Sequence, residues 1–136
     1  MKRATLIVAG LLLGLMLCSA VLAYTISGYV YFDTAKTKRA RCCEVAIWMD
    51  DNCDADSLTM TVVDEAGYYE FTGLGSGEYS VRAKWGNTPC ASCDPGGSEC
   101  EQVAYSQCGY VEVDSTDASQ DLIFDIDCRC TEDDPK

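Results

Sequence analysis

No histidine occurs anywhere in the 136 residues. That absence removes the side chain most often poised near neutrality as a general base. It also removes the CxxCH motif through which c-type haem is attached. Basic residues are scarce as well: 10 Lys and Arg stand against 22 Asp and Glu, for a formal charge of −12. A surface of that sign repels nucleic acid and anionic membrane, so neither is an expected partner. Cations, basic proteins and plain solubility remain as uses for the charge. The acidic residues are mixed into apolar and β-branched sequence, so they do not signal disorder. No segment sustains a helical period, and past the N-terminus no long apolar run occurs.

The N-terminal run itself is MKRATLIVAGLLLGLMLCSAVLA. Lys2 and Arg3 form a basic start, Leu6 to Leu17 an apolar stretch, and Val21-Leu22-Ala23 a small-residue site. This is the pattern of a cleaved secretory signal over residues 1–23. The stretch is shorter than the ~20 residues that span a bilayer, and no stop-transfer charges follow it. Leu15-Met16-Leu17-Cys18 faintly resembles a lipoprotein box, but Leu17 stands where Gly or Ala belongs, which argues against lipidation at Cys18. A secreted, extracellular or cell-surface protein is expected, with the periplasm as the other exported destination and no membrane association after cleavage. Loss of Lys2 and Arg3 leaves a formal charge of −14. The length then suits one domain over 24–130, with a Cys-rich loop at 86–108 and an acidic tail at 131–136.

Of the 10 cysteines, removing Cys18 leaves nine: Cys42, Cys43, Cys53, Cys90, Cys93, Cys100, Cys108, Cys128 and Cys130. Such density in a small exported chain reads as disulfides stapling a modest core. Nine is odd, so at least one thiol is free, blocked or shared with another chain. Eight cysteines pair in roughly a hundred ways, and spacing alone does not choose among them. Zinc is the rival use of Cys90-x-x-Cys93 with Cys100 and Cys108. A four-cysteine zinc cluster wants two close pairs, and only the first pair is close. A redox role for Cys90-x-x-Cys93 wants a helix N-terminus to lower the thiol pKa, and no helix is predicted there. Cys128 and Cys130, two apart on an extended segment, are poorly placed to bond each other, so at least one should clamp the chain's end to a distant cysteine.

Alternation supplies the fold class. Tyr24 to Asp33 places Ile26, Gly28, Val30 and Phe32 on one face and Tyr29 and Tyr31 on the other. Cys42 to Asp50 points Val45, Ile47 and Met49 one way, and Leu58 to Val63 follows as a strand. Asp64-Glu65-Ala66-Gly67 has the composition of a type I turn. Next come Tyr68 to Thr72 and Glu78 to Trp85, whose Tyr69, Phe71, Leu74, Tyr79, Val81 and Ala83 share a face if the segment is a hairpin. Tyr110 to Val113 and Asp121 to Asp127 complete the set, the last with Leu122, Phe124 and Ile126 aligned. About seven short strands without a helix predict an all-β sandwich.

Ser27-Gly28-Tyr29-Val30, Glu44-Val45-Ala46-Ile47 and the run Asp64-x-x-Gly67-x-Tyr69-x-Phe71-x-x-Leu74-x-x-Gly77-x-Tyr79-x-Val81 resemble the carboxypeptidase regulatory-like domain. That is a transthyretin-like (prealbumin-like, Ig-like) β-sandwich module, close in pattern to the B-type repeats of Gram-positive surface adhesins. The resemblance covers residues 26 to 84, and it implies that the quoted turn and corner join two sandwiched strands. It implies little about activity, because such modules serve as spacers, contact domains and folding appendages. The branch of this fold that hydrolyses a urate-derived ring uses histidines and ends in Tyr-Arg-Gly-Ser; this chain has neither feature.

Two loops and three aromatics are the remaining candidates for function. Asp50, Asn52, Asp54 and Asp56 alternate as in a loop that wraps Ca²⁺. Ala55 occupies the place of the turn glycine, though, and Thr61 that of the bidentate Glu, so a solvated loop is the simpler expectation. The adhesin repeats carry their Asp-rich loop after the first strand, where this chain has Thr34-Ala-Lys-Thr-Lys-Arg39 instead. Lys36, Lys38, Arg39 and Arg41 form a solvated loop, a proteolytic site, or a patch that docks on an acidic surface such as 50–56 or 132–134 of another copy. Tyr29, Tyr31 and Trp48 either stack on a sugar or fill a core. The expected protein is a non-catalytic structural or binding module meeting a protein or carbohydrate surface, with no cofactor unless Ca²⁺ binds at 50–56. Calcium or carbohydrate binding is the second reading, and a Cys-rich metal or redox protein the third.

Overall fold

The computed structural model describes residues 22–41, 43–86 and 103–126. Among them there is no helix, and hence none long and apolar enough to cross a membrane. Nine strands of the described residues form two sheets: β1 Tyr24–Tyr31, β2 Glu44–Met49, β3 Thr59–Val62, β4 Tyr68–Leu74, β5 Gly77–Trp85, β6 Ala104–Tyr105, β7 Gly109–Val113, β8 Ala118–Ser119 and β9 Leu122–Ile123. One sheet has β1 at its centre, with β4 antiparallel on one side and β8 and β9 parallel on the other. The second runs β3-β2-β5, and β6 and β7 follow one another along the far side of β5. The protein is an all-β sandwich.

The inward faces follow the alternation. Ile26, Val30 and Phe32 from the first strand region meet Val45, Ile47, Val81 and Ala83 across the core, with Tyr69, Phe71, Tyr79 and Trp85 filling the space between. Phe32 meets Trp85 edge-on at 4.9 Å between ring centroids. Burial of this set is the main favourable term of folding.

Three expectations need correction. The segment from Tyr68 to Trp85 is not a hairpin: β4 pairs with β1 and β5 with β2, so the six aligned residues face each other from opposite sheets. Gly73, in a left-handed conformation at φ 75°, helps turn the chain from one sheet to the other. Met49 is exposed, because β2 ends there and Asp50 adopts φ 67°. Of the segment predicted as one strand from Asp121 to Asp127, the described part, to Ile126, has only Leu122–Ile123 in the ladder. Its neighbours still follow β1, with Phe124 N–H donating to Tyr31 O and Ile126 N–H to Phe32 O, both at 2.9 Å. The two-residue strands β6 and β8 stand beside the seven strands expected from the alternation.

The turn at 64–67 forms as its composition predicts. Gly67 N–H donates to Asp64 O at 3.0 Å, and the Asp64 carboxylate accepts from Ala66 and Tyr68 N–H. Gly67 sits at φ 74°, and a Cβ there would crowd Ala40 O at 2.9 Å. The turn carries the chain from β3 in one sheet to β4 in the other.

Gly28 serves a different purpose. The chain from β8 to β9 passes directly over it, and a Cβ at position 28 would collide with the Gln120 carbonyl. The Tyr69 hydroxyl donates to that same carbonyl, and Gln120 N–H donates to Ser27 O at 2.9 Å. Since the obstacle is backbone, Gly28→Ala is expected to cost at least the ~1–3 kcal/mol of ordinary overpacking. Urea unfolding checks this; an alanine variant as stable as wild type would show that the crossing segment can shift aside freely.

Candidate functional site

The 50–58 loop joins β2 to β3 and carries the four candidate oxygen ligands Asp50, Asn52, Asp54 and Asp56. Among the described residues no group of three or more His, Cys, Asp or Glu side chains is arranged to hold a metal ion. Local bonding accounts for the arrangement. The Asn52 side chain accepts from Asp54 N–H at 2.9 Å, and the Asp54 carboxylate faces Arg82 at 3.2 Å. The Asp50 backbone is held from both ends, its N–H donating to Glu78 O and its O accepting from Ser80 Oγ.

This loop borders an open cleft of about 380 Å³. Antiparallel pairing of β5 with β7 brings Glu78 and Glu112 opposite one another, beside Asp50 and Asp51. Four carboxylates thus rim a surface that also presents Tyr110, 63% exposed. Like charges directly across a ladder oppose each other, so the rim favours cations and basic groups. Glu78 and Glu112 were not among the sequence candidates, because only the non-local pairing brings them together.

The three aromatics offered as a sugar platform are largely occupied. Trp48 is buried, and its indole N–H donates to Ala55 O at 2.7 Å beneath the loop. Tyr31 is also buried, and Tyr29 carries the Arg39 guanidinium 3.8 Å above its ring. The exposed rings are Tyr110 and Tyr105 instead. Tyr105 lies beside a smaller groove of about 180 Å³ on the outer face of the five-stranded sheet, with Arg82 over its ring at 4.7 Å.

The basic run folds back onto its own domain. Asp33 organises the loop by accepting from Thr37 Oγ1, Thr37 N–H and Lys38 N–H. The Thr37 hydroxyl bond is the main influence holding the Asp33 carboxyl below its usual range. Lys36 donates to Asp121 at 2.7 Å, and Arg39 bonds Ala66 O at 3.1 Å while covering Tyr29. Lys36 and Arg39 therefore make contacts within the chain while the loop stays at the surface.

Asp121 clips the crossing segment to β1, taking Tyr29 N–H on one oxygen and Lys36 on the other. Partial burial raises its pKa, but the bond from Lys36, the Tyr29 N–H and the nearby cationic charges outweigh burial and hold the carboxyl low. The ionised clip contributes stability above the unfolded carboxylate range near pH ~4 and loses it as pH falls through that range. Thermal melts of Asp121→Asn should therefore lie below wild type at pH 6, with the gap closing toward pH 3. A gap independent of pH would mean that the charge of Asp121 does no stabilising work.

Three cysteines fall within the described residues. Cys53 is bonded to Cys108, linking the 50–58 loop to the segment before β7. Cys43 is a free, buried thiol, so the structure does not place it in a disulfide. Burial pushes its pKa up to about 12, the reverse of what a reactive thiol requires. The readings of Cys42, Cys90, Cys93, Cys100, Cys128 and Cys130, with those of the leader and acidic tail, lie outside the described residues.

No family model matches the chain, and no curated protein matches it. Among solved structures it is similar to a candidate carbohydrate-binding protein of Pseudomonas aeruginosa at 12% identity and a TM-score of 0.49, covering 76% of this chain and 89% of that one. It is similar to a streptococcal ancillary pilin at 11% identity and a TM-score of 0.47, covering 77% and 33%. It is also similar to the major pilin subunit of Bacillus cereus at 12% identity and a TM-score of 0.46, covering 75% and 30%. The chain thus spans about a third of each pilin's length.

Proposed function

We propose that this chain is an exported, non-catalytic β-sandwich module of the transthyretin-like type, presenting a rigid surface to a protein or carbohydrate partner outside the cell. The observation that carries the reading is where the displaced titratable groups lie. Cys43 and Tyr69 are both pushed upward by burial, away from neutrality. Tyr69 anchors the crossing segment, and Asp121 clips it to β1. A catalytic acid or base is tuned toward its working pH and faces a cleft. Among the described residues these displaced groups serve the fold. The Cys53–Cys108 bond supports an oxidising destination, because such bonds persist outside the reducing cytosol. Export would place the exposed Tyr105, Tyr110 and acidic rim where a partner can reach them.

Expression with the native leader in a secreting bacterial host tests this reading. Mass spectrometry of the exported product should give a chain beginning at Tyr24, with a Cys53–Cys108 peptide under non-reducing digestion. A product retained in the cell with its leader intact and Cys53 open to alkylation would defeat the export reading. Screening of the exported protein against glycan and cell-surface protein arrays should then return binding without turnover of the bound molecule.

A further inference from the structure

We propose that the free edge of β3 is a self-pairing surface, at which two copies join antiparallel about a two-fold axis through Thr61. β3 ends its sheet, with β2 on one side and no described strand on the other. Val63 N–H donates to Cys43 O at 3.0 Å, and the register continues through Glu44↔Val62, Val45↔Thr61 and Ala46↔Met60. In an antiparallel ladder alternate residues bond the neighbouring strand. Val63, Thr61 and Thr59 thus face β2, while the N–H and C=O groups of Met60 and Val62 point outward. Two-fold pairing sets Met60 of each copy opposite Val62 of the other, where they exchange backbone hydrogen bonds. The two five-stranded sheets then become one.

The side chains suit this arrangement. Leu58, Met60 and Val62 are 55%, 62% and 58% exposed, an aliphatic row along a single edge. Across the axis Met60 packs against Val62 of the second copy on the outer face of the joined sheet. Length and charge together favour this edge, because the edge strands β6, β8 and β9 offer only two residues each. Exposed charges blunt pairing between sheets, and β4 carries Glu70 while β7 carries Glu112. β3 itself reads Thr-Met-Thr-Val, with no charge between Asp56 and Asp64. The two-fold register pairs residues 59–63 of the two copies, a span without charge, so no like charges meet across the ladder. In a chain of net charge −12, which repels its own copies over most of its surface, an uncharged four-residue edge is a place where close approach is weakly opposed.

The size of the patch sets the strength. A short strand edge and three aliphatic side chains fall below the roughly 1,200 Å² typical of stable complexes, so the pairing is expected to be weak and driven by concentration. Added salt should tighten the pairing by screening the net charge.

Sedimentation equilibrium of the purified, oxidised protein, with free thiols capped, should show a non-covalent dimer forming toward millimolar concentration. Met60→Lys with Val62→Lys should weaken it at least tenfold, even though two lysines lower the net negative charge and would favour any contact limited by general repulsion. Circular dichroism should show the variant folded, since both positions are exposed. Should the variant misfold, hydrogen exchange on wild type gives a separate readout: the Met60 and Val62 amides should slow with rising concentration, while the Thr61 amide, already bonded to β2, should not change. A monomer throughout, a dimer indifferent to the lysines, or Met60 and Val62 amides indifferent to concentration would overturn the proposal.

Discussion

Replacing Cys53 and Cys108 together by alanine is expected to lower stability by about 4 kcal/mol. The bond closes a loop with a sequence separation of 55, and the chain-entropy estimate for a loop of that length gives roughly this figure. The native state adds a local reason. Cys108 follows Ser106, which is bonded to β5 through Ala83 in both directions: Ser106 N–H to Ala83 O and Ala83 N–H to Ser106 Oγ, each 2.9 Å. Arg82 donates to Ser106 O and to Asp54, one residue beyond Cys53. The disulfide and Arg82 therefore tie the same loop to the same segment. The Asp54 pair contributes little by itself, because Asp54 is highly exposed and screened. Both cysteines are replaced so that no lone thiol can exchange with another. Thermal melts should fall by on the order of 15 °C. A double variant within about 1 kcal/mol of wild type would show that packing and backbone bonds hold the loop without the sulfurs.

What the sequence made legible was local. Alternation is a property of consecutive residues, so the inward positions Ile26, Val45, Tyr69, Phe71, Tyr79 and Val81 could be read before any sheet was known. The Asp64–Gly67 turn was legible for the same reason, since its bonds lie within a few residues. Strand partnership was not. Gly73, Gly75 and Gly77 permit either a hairpin or a crossing between sheets, and the choice is made by the pairing of β1 with β4 and β2 with β5. Trp48 belongs to the outward side of β2, yet the 50–58 loop folds over it and binds its indole, an arrangement periodicity cannot express. The acidic cleft depends on β5 meeting β7, with the segment 87–102 between them in sequence. β6 and β8 are too short to carry a period. The pairing of Cys53 with Cys108 had no signal in spacing, because disulfide partners are chosen by the fold.

Phe71→Ala is expected to cost ~3–5 kcal/mol, the usual range for truncating a buried aromatic. Phe71 is 5% exposed and sits opposite Ile26 in the β1–β4 ladder, with the Tyr69 ring 5.9 Å away. Its neighbours are held by backbone pairing and by the Tyr69 hydroxyl bond, so they cannot readily collapse into the space left behind. Both the transfer loss and the cavity loss should then appear. Because small domains are stable by only ~5–15 kcal/mol, such a variant lies near the limit of folding. Phe71→Leu, which refills much of the volume, should be clearly milder. Glu70→Ala and Thr72→Ala, on the exposed side of the same strand, should stay within about 0.5 kcal/mol of wild type. Urea denaturation of the four variants gives the order directly, as midpoint shifts at constant slope. If Phe71→Ala proved as stable as Glu70→Ala and lost only a binding activity, position 71 would be a contact surface and the inward face assigned to β4 would be wrong.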